Sequence, residues 1–262
     1  MKNRFFFSTF IIAFLNISSA IFAADLLVPG QYSTIQAAIN AAQPEDTVIV
    51  SPATYTGTGN RDIDFAGKAI TVQSTNPDDP CVVAATIIDC QNVSGHRGFY
   101  FHSAESSSAI LSGFTIKRGY TTDYGGGIYC NNASPTILNC IITANKTESA
   151  IYVYPGHVYG GGIFCTVNSS PVISNCTISN NYAKGGDEAH DGDGANAHGG
   201  GIYCSVNSSP VISNCTINNN YARGGNGLDQ YCSPLHGCFG PGDGGYASGG
   251  GIYAGSDCCP NY

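Results

Sequence analysis

The stretch GGGIYCSVNSSPVISNCTI occupies residues 199–217, and a near-copy, GGGIFCTVNSSPVISNCTI, begins at Gly160. Two more GGGI motifs begin at Gly125 and Gly249. In the first three copies the distance from the first glycine to a closing asparagine hardly changes, and these asparagines are Asn145, Asn181 and Asn220. The spacing between copies drifts only after that asparagine. A constant segment with variable loops at one corner predicts a solenoid in which each copy is one coil.

The pattern inside each coil is that of β-strands. In PVISNCTI, β-branched residues dominate, and Ile173 and Cys176 alternate with polar residues. Asn175 breaks the alternation; because Asn tolerates positive φ, we expect the chain to turn a corner there. The upstream segment AILSGFTI aligns Gly113 with this corner and Phe114 with the cysteine. The sequence therefore predicts a corner column of Asn or Gly, a core column of Phe or Cys, and glycines that turn the backbone back into the stack.

Upstream of these coils, the segment YSTIQAAINAA predicts an amphipathic helix over about residues 33–42. Ser33 and Gln36 have the spacing of a capping box at its N-terminus. A helix that precedes a column of strands covers an end that would otherwise expose unpaired backbone groups. We therefore expect an all-β parallel β-helix with an N-terminal capping helix, forming a single domain over residues 24–262.

The two ends of the chain carry separate signals. Residues 1–23 combine basic residues, an apolar run and small residues, which is typical of a signal peptide, so we expect a secreted protein, extracellular or at the outer-membrane surface. No later stretch is apolar enough to cross a bilayer. The final GGGI copy stops at Tyr262 before its next strand, so we expect a longer native chain.

The protein has a net charge of -8 and few basic residues. It therefore offers no basic surface that would bind nucleic acid.

The opening segment VPGQYSTIQAAINAAQPEDTVIVSPATYTG, residues 28–57, resembles the N-terminal cap and first coil of pectin-lyase-like right-handed parallel β-helices. RDIDFAGKAITVQS, IIDCQ and HRGFYFHS are similar to the opening coils of secreted bacterial β-helix-repeat proteins. The GGGI copies resemble the polymorphic outer-membrane protein repeat, in which a GGAI-type motif accompanies Phe-x-x-Asn. Here the second motif is Ile-x-x-Asn, as in Ile142 and Asn145. The resemblance implies the fold and a location outside the cell.

The cysteines fall into two groups. Six lie at matched positions in the coils, in the columns Cys130, Cys165, Cys204 and Cys140, Cys176, Cys215. A disulfide ladder is one interpretation for an exported protein. Buried thiols are the favoured one, because stacked side chains point in parallel directions that suit a disulfide poorly. In the longest loop, Cys232 and Cys238 are candidates for a local disulfide.

The sequence offers little for catalysis. A polysaccharide lyase or glycoside hydrolase on this fold needs acid–base side chains on an outer face, whereas Ser and Thr dominate there. Asp62 and Asp64 have paired spacing, which we interpret as a turn or capping arrangement. His96, Arg97 and His102 look too scattered along the sequence to form a site.

Tyrosines gather near the variable corner, and aromatic rings beside Asn and Ser suit the binding of sugars. The candidate ligand-binding residues are Tyr152, Tyr154, Tyr159, Tyr182 and Tyr221. Packing of the loops is the alternative role for these rings. We therefore expect an adhesive or glycan-binding protein whose partners are glycans or cell-surface polysaccharide. A carbohydrate-active enzyme, either a lyase or a hydrolase, and a purely structural passenger segment are the two alternatives.

The loop GGDEAHDGDGANAH, residues 185–198, contains four carboxylates close together: Asp187, Glu188, Asp191 and Asp193. Hard oxygen ligands in a glycine-rich loop suit Ca²⁺. The alternative is a solvated acidic loop that contributes to solubility. His190 and His198 in the same loop could instead recruit a transition metal. Calcium is the cofactor that we favour, and the fold does not require one.

Overall fold

The computed structural model describes residues 23–149, 156–187, 193–205, 207–227, 231–233, 237–239 and 246–254. These residues form two helices, α1 (Ile35–Ala41) and α2 (Pro80–Ala85). The strands of the first half are β1 (Asp25–Val28), β2 (Thr47–Val50), β3 (Ala53–Tyr55), β4 (Thr71–Ser74), β5 (Thr86–Asp89), β6 (Phe99–Phe101), β7 (Ile110–Ser112), β8 (Thr115–Lys117), β9 (Tyr120–Thr121), β10 (Ile128–Asn131), β11 (Thr136–Leu138), β12 (Ile141–Thr143) and β13 (Lys146–Glu148). Those of the second half are β14 (Val158–Tyr159), β15 (Ile163–Thr166), β16 (Val172–Ser174), β17 (Thr177–Ser179), β18 (Tyr182–Lys184), β19 (Ala197–His198), β20 (Ile202–Cys204), β21 (Val211–Ser213), β22 (Thr216–Asn218), β23 (Tyr221–Arg223), β24 (Tyr231–Ser233), β25 (Gly237–Phe239), β26 (Ala247–Ser248) and β27 (Ile252–Ala254).

Strands at the same position in successive coils pair in parallel. The first sheet has the order β1-β2-β4-β7-β11-β16-β21, the second β3-β5-β8-β12-β17-β22, the third β9-β13-β18-β23 and the fourth β6-β10-β15-β20-β27. A short sheet, β14-β19-β26, follows the third sheet, and β24 and β25 form an antiparallel hairpin. Each repeat runs through the fourth, first, second and third sheets before it returns to the fourth. The predicted all-β parallel β-helix is confirmed.

Left-handed residues make the corners, as the sequence predicts. Between the first and second sheets, Asn139, Asn175 and Asn214 have φ of 52°, 55° and 51°, and Gly113 has φ of 80°. A second corner, between the second and third sheets, was not predicted. There Asn180 has φ of 56° and the equivalent residues of the other coils are also left-handed. Asparagine recurs at both corners because it accepts this conformation at little cost.

The three glycines of each motif meet two different requirements. Gly160 has φ of 64°, so it makes the predicted turn. A Cβ on Gly161 would lie 2.4 Å from the Tyr182 carbonyl oxygen. A Cβ on Gly162 would lie 2.6 Å from the Gly201 carbonyl oxygen and 2.9 Å from the Asn181 side-chain nitrogen. The second and third glycines are therefore required by close packing between coils, rather than by the turn.

The closing asparagines form a hydrogen-bonded ladder inside the solenoid. Asn145 Nδ2 donates to Asn181 Oδ1 at 3.1 Å, and Asn181 Nδ2 donates to Asn220 Oδ1 at 3.0 Å. Each Nδ2 also donates to a carbonyl of the preceding coil, at Ile116 for Asn145 and Ile142 for Asn181. Asn145 and Asn181 are buried. Because their polar atoms have partners in the neighbouring coils, the ladder fixes the spacing of the coils.

Apolar side chains fill the rest of the column. Phe114 is buried, as are Cys140 and Cys176 at the equivalent positions, which confirms the predicted core column. The Cys176 sulfur accepts a hydrogen bond from the backbone nitrogen of Cys140 at 3.4 Å. A hydrogen bond with the Cys176 thiol, together with burial, raises the pKa of Cys215. Eight cysteines are not joined in a disulfide: Cys81, Cys90, Cys130, Cys140, Cys165, Cys176, Cys204 and Cys215.

Helix α1 caps the N-terminal end, and its own cap differs from the prediction. Its apolar face, which includes Ile35 and Ile39, is buried against β1 and β2. Thr34 is the N-cap and accepts from the Ala37 backbone nitrogen at 3.2 Å. The predicted capping box of Ser33 and Gln36 is wrong, because the Gln36 amide instead bonds the Asp64 backbone. Helix α2 was not predicted, although its Asp-Pro start is typical of a helix N-terminus.

Candidate functional site

A column of aromatic rings covers the outer face of the fourth sheet. Its members occupy the same position in successive coils and are paired by the sheet register: Tyr100, Tyr129, Phe164, Tyr203 and Tyr253. Successive ring centroids lie 4.9, 5.2, 5.3 and 5.2 Å apart. We call this set the aromatic column. The column arises because an aromatic residue follows the GGGI motif. Side chains alternate between the two faces of a strand, so this aromatic side chain points outward while the residues on either side of it point inward.

A second line of rings flanks the aromatic column and forms a groove with it. Tyr124 stacks on Phe164 with centroids 4.9 Å apart, and Tyr159 packs against Tyr203 at 4.8 Å. His198 lies next in this line, 4.9 Å from the ring of Tyr253. The resulting open groove has a volume of about 340 Å³ and is lined by Tyr124, Tyr129, Asn131, Tyr159, Phe164, Thr166, Val167, Tyr203 and Ser205. We call it the aromatic groove.

The aromatic groove is electrically neutral. None of the described residues that line it carries a charged side chain at neutral pH. Burial, with a smaller effect of the neighbouring Tyr100, raises the pKa of Tyr129 to about 12. Burial also raises the pKa of Tyr159 and lowers that of His198, which His157 lowers further. The groove therefore presents neutral hydroxyl, amide and ring groups, which donate and accept hydrogen bonds without attracting ions.

Arg97 holds the N-terminal part of the aromatic column in place. Its guanidinium lies over the rings of Tyr100 and Tyr129, 5.3 and 5.0 Å from their centroids. The same group donates to the Tyr124 carbonyl oxygen at 2.9 Å and lies 3.7 Å from a carboxylate oxygen of Asp123. Arg97 thus ties both lines of rings together through cation–π contacts and a hydrogen bond.

The predicted tyrosine cluster is divided by the structure. Tyr159 lines the aromatic groove, whereas Tyr182 and Tyr221 stack on each other on the third sheet, with centroids 5.7 Å apart. That sheet also carries Lys146, whose Nζ lies 2.9 Å from a Glu148 oxygen. Tyr182 and Tyr221 therefore lie on a different sheet from the strands of the aromatic column, and their role in ligand binding stays a prediction. Tyr152 and Tyr154 lie outside the described residues.

The predicted calcium ligands are only partly described. Glu188 and Asp191 lie outside the described residues. The Asp187 carboxylate accepts from the Asn226 backbone nitrogen at 2.8 Å, which lowers its pKa, and it lies 3.5 Å from Lys184 Nζ. In the part of the chain that the structure describes, no three His, Cys, Asp or Glu residues are grouped so as to hold a metal ion. The calcium site stays a prediction.

The predicted disulfide between Cys232 and Cys238 also stays a prediction. The backbone of the β24–β25 hairpin pairs Cys232 directly with Cys238. Directly opposed residues of an antiparallel pair have Cβ atoms about 4.5–5.5 Å apart, at the edge of the range of disulfides. The register therefore places the two cysteines opposite each other, and it does not by itself establish the bond.

A polar cluster that was judged too scattered in the sequence is assembled by the fold. The Asp62 carboxylate contacts His96 Nδ1 at 2.5 Å and accepts from the Arg97 backbone nitrogen at 2.9 Å. Asp64 lies 3.3 Å from His102 Nε2. The expectation that His96, Arg97 and His102 are too scattered to form a cluster is wrong, because Ile63 pairs with Phe99 in consecutive coils and brings the two segments together. Aligning RDIDF with HRGFYF as successive rungs could have revealed the cluster.

The comparisons with known proteins agree with this architecture. The chain matches the family described as right handed beta helix region over residues 63–238, which is more than half of its length, so it belongs to this family. No curated protein and no solved structure shows a significant match. In the described residues, neither helix has the length and apolarity that a bilayer-spanning helix needs.

Proposed function

We propose that this β-helix protein has an adhesive or glycan-binding role outside the cell. We further propose that it binds neutral glycans in the aromatic groove. The observation that carries the proposal is the continuous outer surface of tyrosine rings flanked by Asn131, Thr166 and Ser205. Tyrosine offers an apolar ring for the carbon-bound hydrogens of a sugar and a hydroxyl for its polar groups. Amide and hydroxyl side chains beside the rings supply the few directional contacts that fix a ligand.

The dimensions of the groove suit a polymeric ligand. Each coil repeats the same surface after about 4.8 Å, the spacing of hydrogen-bonded strands. That step is comparable with the length of one sugar unit in an extended glycan, so successive sugars meet equivalent rings in successive coils. Because rings of the aromatic column stack on one another, a ligand contacts their edges and hydroxyls, together with the flanking Tyr124 and Tyr159. The location outside the cell rests on the signal-peptide pattern of residues 1–23.

The uncharged lining of the aromatic groove determines which class of glycan we expect it to bind. A glycan rich in carboxylates or sulfates needs cations in its site, and the described lining of the aromatic groove has none. The overall net charge of -8 opposes acidic polymers further. We therefore expect neutral polysaccharides to bind and acidic ones to be excluded.

A glycan array that carries both neutral and acidic sugars tests the proposal. The wild-type protein should retain neutral glycans, and Tyr159→Ala should weaken binding by about tenfold or more, the effect of removing a central aromatic contact. Tyr182→Ala is the matched control, because that ring lies on the third sheet, away from the groove. Equal loss in both variants, or retention only of acidic glycans, would overturn the proposal.

A further inference from the structure

The aromatic column continues beyond Tyr100 into the polar cluster of Asp62 and Asp64. Ile63 pairs in parallel with Phe99, and its carbonyl oxygen accepts from the Tyr100 backbone nitrogen at 2.9 Å. Asp64 consequently occupies the rung before Tyr100, at the same outward position. The bridge between them is His102, which lies 3.3 Å from Asp64 and stacks on Tyr100 with centroids 4.0 Å apart. One outer column thus changes from aromatic to acidic at its N-terminal end.

A second open groove lies at this acidic end. Its volume is about 410 Å³, and it is lined by Gln36, Thr58, Gly59, Arg61, Asp62, Asp64 and His96. We call it the polar groove. The side chains of Asp62 and Asp64 remain 39% and 30% exposed in it, so both carboxylates are accessible to a ligand.

The groups of the polar groove are held in fixed orientations. Asp62 binds His96 through Nδ1, which leaves Nε2 of that ring with no hydrogen-bond partner among the described residues. Asp64 Oδ1 accepts from the Ala66 backbone nitrogen at 2.7 Å, so this carboxylate is oriented by its own turn. Gln36 is fixed by its two bonds to the Asp64 backbone. Side chains positioned by other hydrogen bonds lose little entropy when a ligand binds.

Carboxylates and an imidazole arranged in this way suit adjacent sugar hydroxyls. A carboxylate accepts hydrogen bonds from two hydroxyls, and such bonds to an ionised acceptor are stronger than neutral ones. These two carboxylates outnumber the one guanidinium in the lining, that of Arg61, so their repulsion of an acidic sugar exceeds its attraction. The polar groove therefore selects the same neutral class as the aromatic groove but through hydrogen bonds rather than through rings.

We propose that the polar groove is a second subsite of the same binding surface, which receives one end of a neutral oligosaccharide that lies along the axis of the coils. This inference rests on the proposed function. Four steps separate the rungs of Asp64 and Tyr203, which at about 4.8 Å per step is about 19 Å. A short oligosaccharide occupies the aromatic groove alone, and a longer one reaches Asp64.

The test is a length series of neutral oligosaccharides, measured by calorimetric titration. Cello-, xylo-, manno- and malto-oligosaccharides from disaccharide to hexasaccharide are titrated into the wild-type protein and into Asp64→Asn, His96→Gln and Tyr203→Ala. For a series that binds, the affinity should increase further once the oligosaccharide is long enough to reach the polar groove. Asp64→Asn and His96→Gln should each remove about tenfold of affinity for the long members, the effect of one hydrogen bond to a charged or fixed group, and leave the short members unchanged.

The outcomes separate the two proposals. If no neutral series binds, the proposed function is wrong. If short and long members bind and only Tyr203→Ala weakens them, the aromatic groove is a binding site and the polar groove is not a subsite. Asp64→Asn keeps an oxygen for the Ala66 turn, and melting temperatures equal to that of the wild type verify that each variant is folded. Tighter binding of oligogalacturonates than of neutral chains would overturn the assignment of ligand class.

Discussion

The core-facing and outward-facing positions of a single strand contribute differently to the protein. In β15, Ile163 and Cys165 point into the solenoid, whereas Phe164 and Thr166 belong to the outer face, where neighbouring rings pack on Phe164 and bury it. The inner positions of all coils form ladders that hold one coil on the next. The outer positions of the fourth sheet form one wall of the aromatic groove. The same repeat therefore supplies the packed core on one side and the proposed binding surface on the other, so substitutions on the two sides should have separable effects.

The largest effect on stability is expected inside, at the asparagine ladder. Asn181→Ala removes the acceptor of two Asn145 hydrogen bonds and the donor to the Ile142 carbonyl. Because the groups left behind are buried, we expect a loss of about 2–4 kcal/mol in the free energy of unfolding. Urea denaturation measures this change.

The control for the ladder is its neighbour, Asn180, which is exposed and left-handed with φ of 56°. Glycine accepts that conformation, so Asn180→Gly should change the free energy of unfolding by less than about 0.5 kcal/mol. Similar losses in the two variants would show that the corner contributes as much to stability as the ladder, which would contradict the account.

A smaller effect is expected in the core column of cysteines. Cys176→Ala removes a buried sulfur atom that packs between the coils, and we expect it to cost about 1–3 kcal/mol. Cys81→Ala is the matched control, because Cys81 is exposed and its sulfur lies outside the core. An unchanged denaturation midpoint for Cys176→Ala would contradict the account of this column.

The smallest expected effect is on the pH dependence of stability, and it comes from His198 on the outer face. Burial lowers the pKa of His198 below its value of 6.5 in an unfolded chain. Between the folded and the unfolded pKa the unfolded state binds more protons, so this group destabilises the fold as pH falls below about 6.5. We expect the melting temperature of His198→Phe to fall less than that of the wild type between pH 7 and pH 5. A parallel fall in both proteins would contradict the burial effect.

Much of the fold could be predicted because its signals are local. The Asn175 corner and the turn at Gly160 require a left-handed backbone, which only a few residue types accept, so their positions are visible in the sequence. The cap of α1 was misplaced because Ser33 and Thr34 are both good N-cap residues. The choice depends on a distant contact, in which Asn60 Oδ1 accepts from the Ile35 backbone nitrogen at 3.1 Å.

The candidate site was predicted less well because it depends on alignment between coils. Tyr159 was found from its position near the loops, but the aromatic column itself was missed. A usable signal was present, since an aromatic residue follows every GGGI motif: Tyr129, Phe164, Tyr203 and Tyr253. The polar groove could not be found from spacing alone, because Asp62 and His96 are 34 residues apart and meet only when the coils stack.

The most direct test of the separation between the two sides uses two adjacent residues of one strand. Tyr203 belongs to the aromatic groove, whereas Ile202 is buried in the core. Binding to the neutral glycan found on the array and the melting temperature are measured for both variants. Tyr203→Ala should lose about tenfold or more in affinity with little change in melting temperature, and Ile202→Val should lose about 0.5–1.5 kcal/mol of stability with unchanged affinity. Unchanged glycan affinity in Tyr203→Ala would contradict the assignment of the outer face as the binding surface.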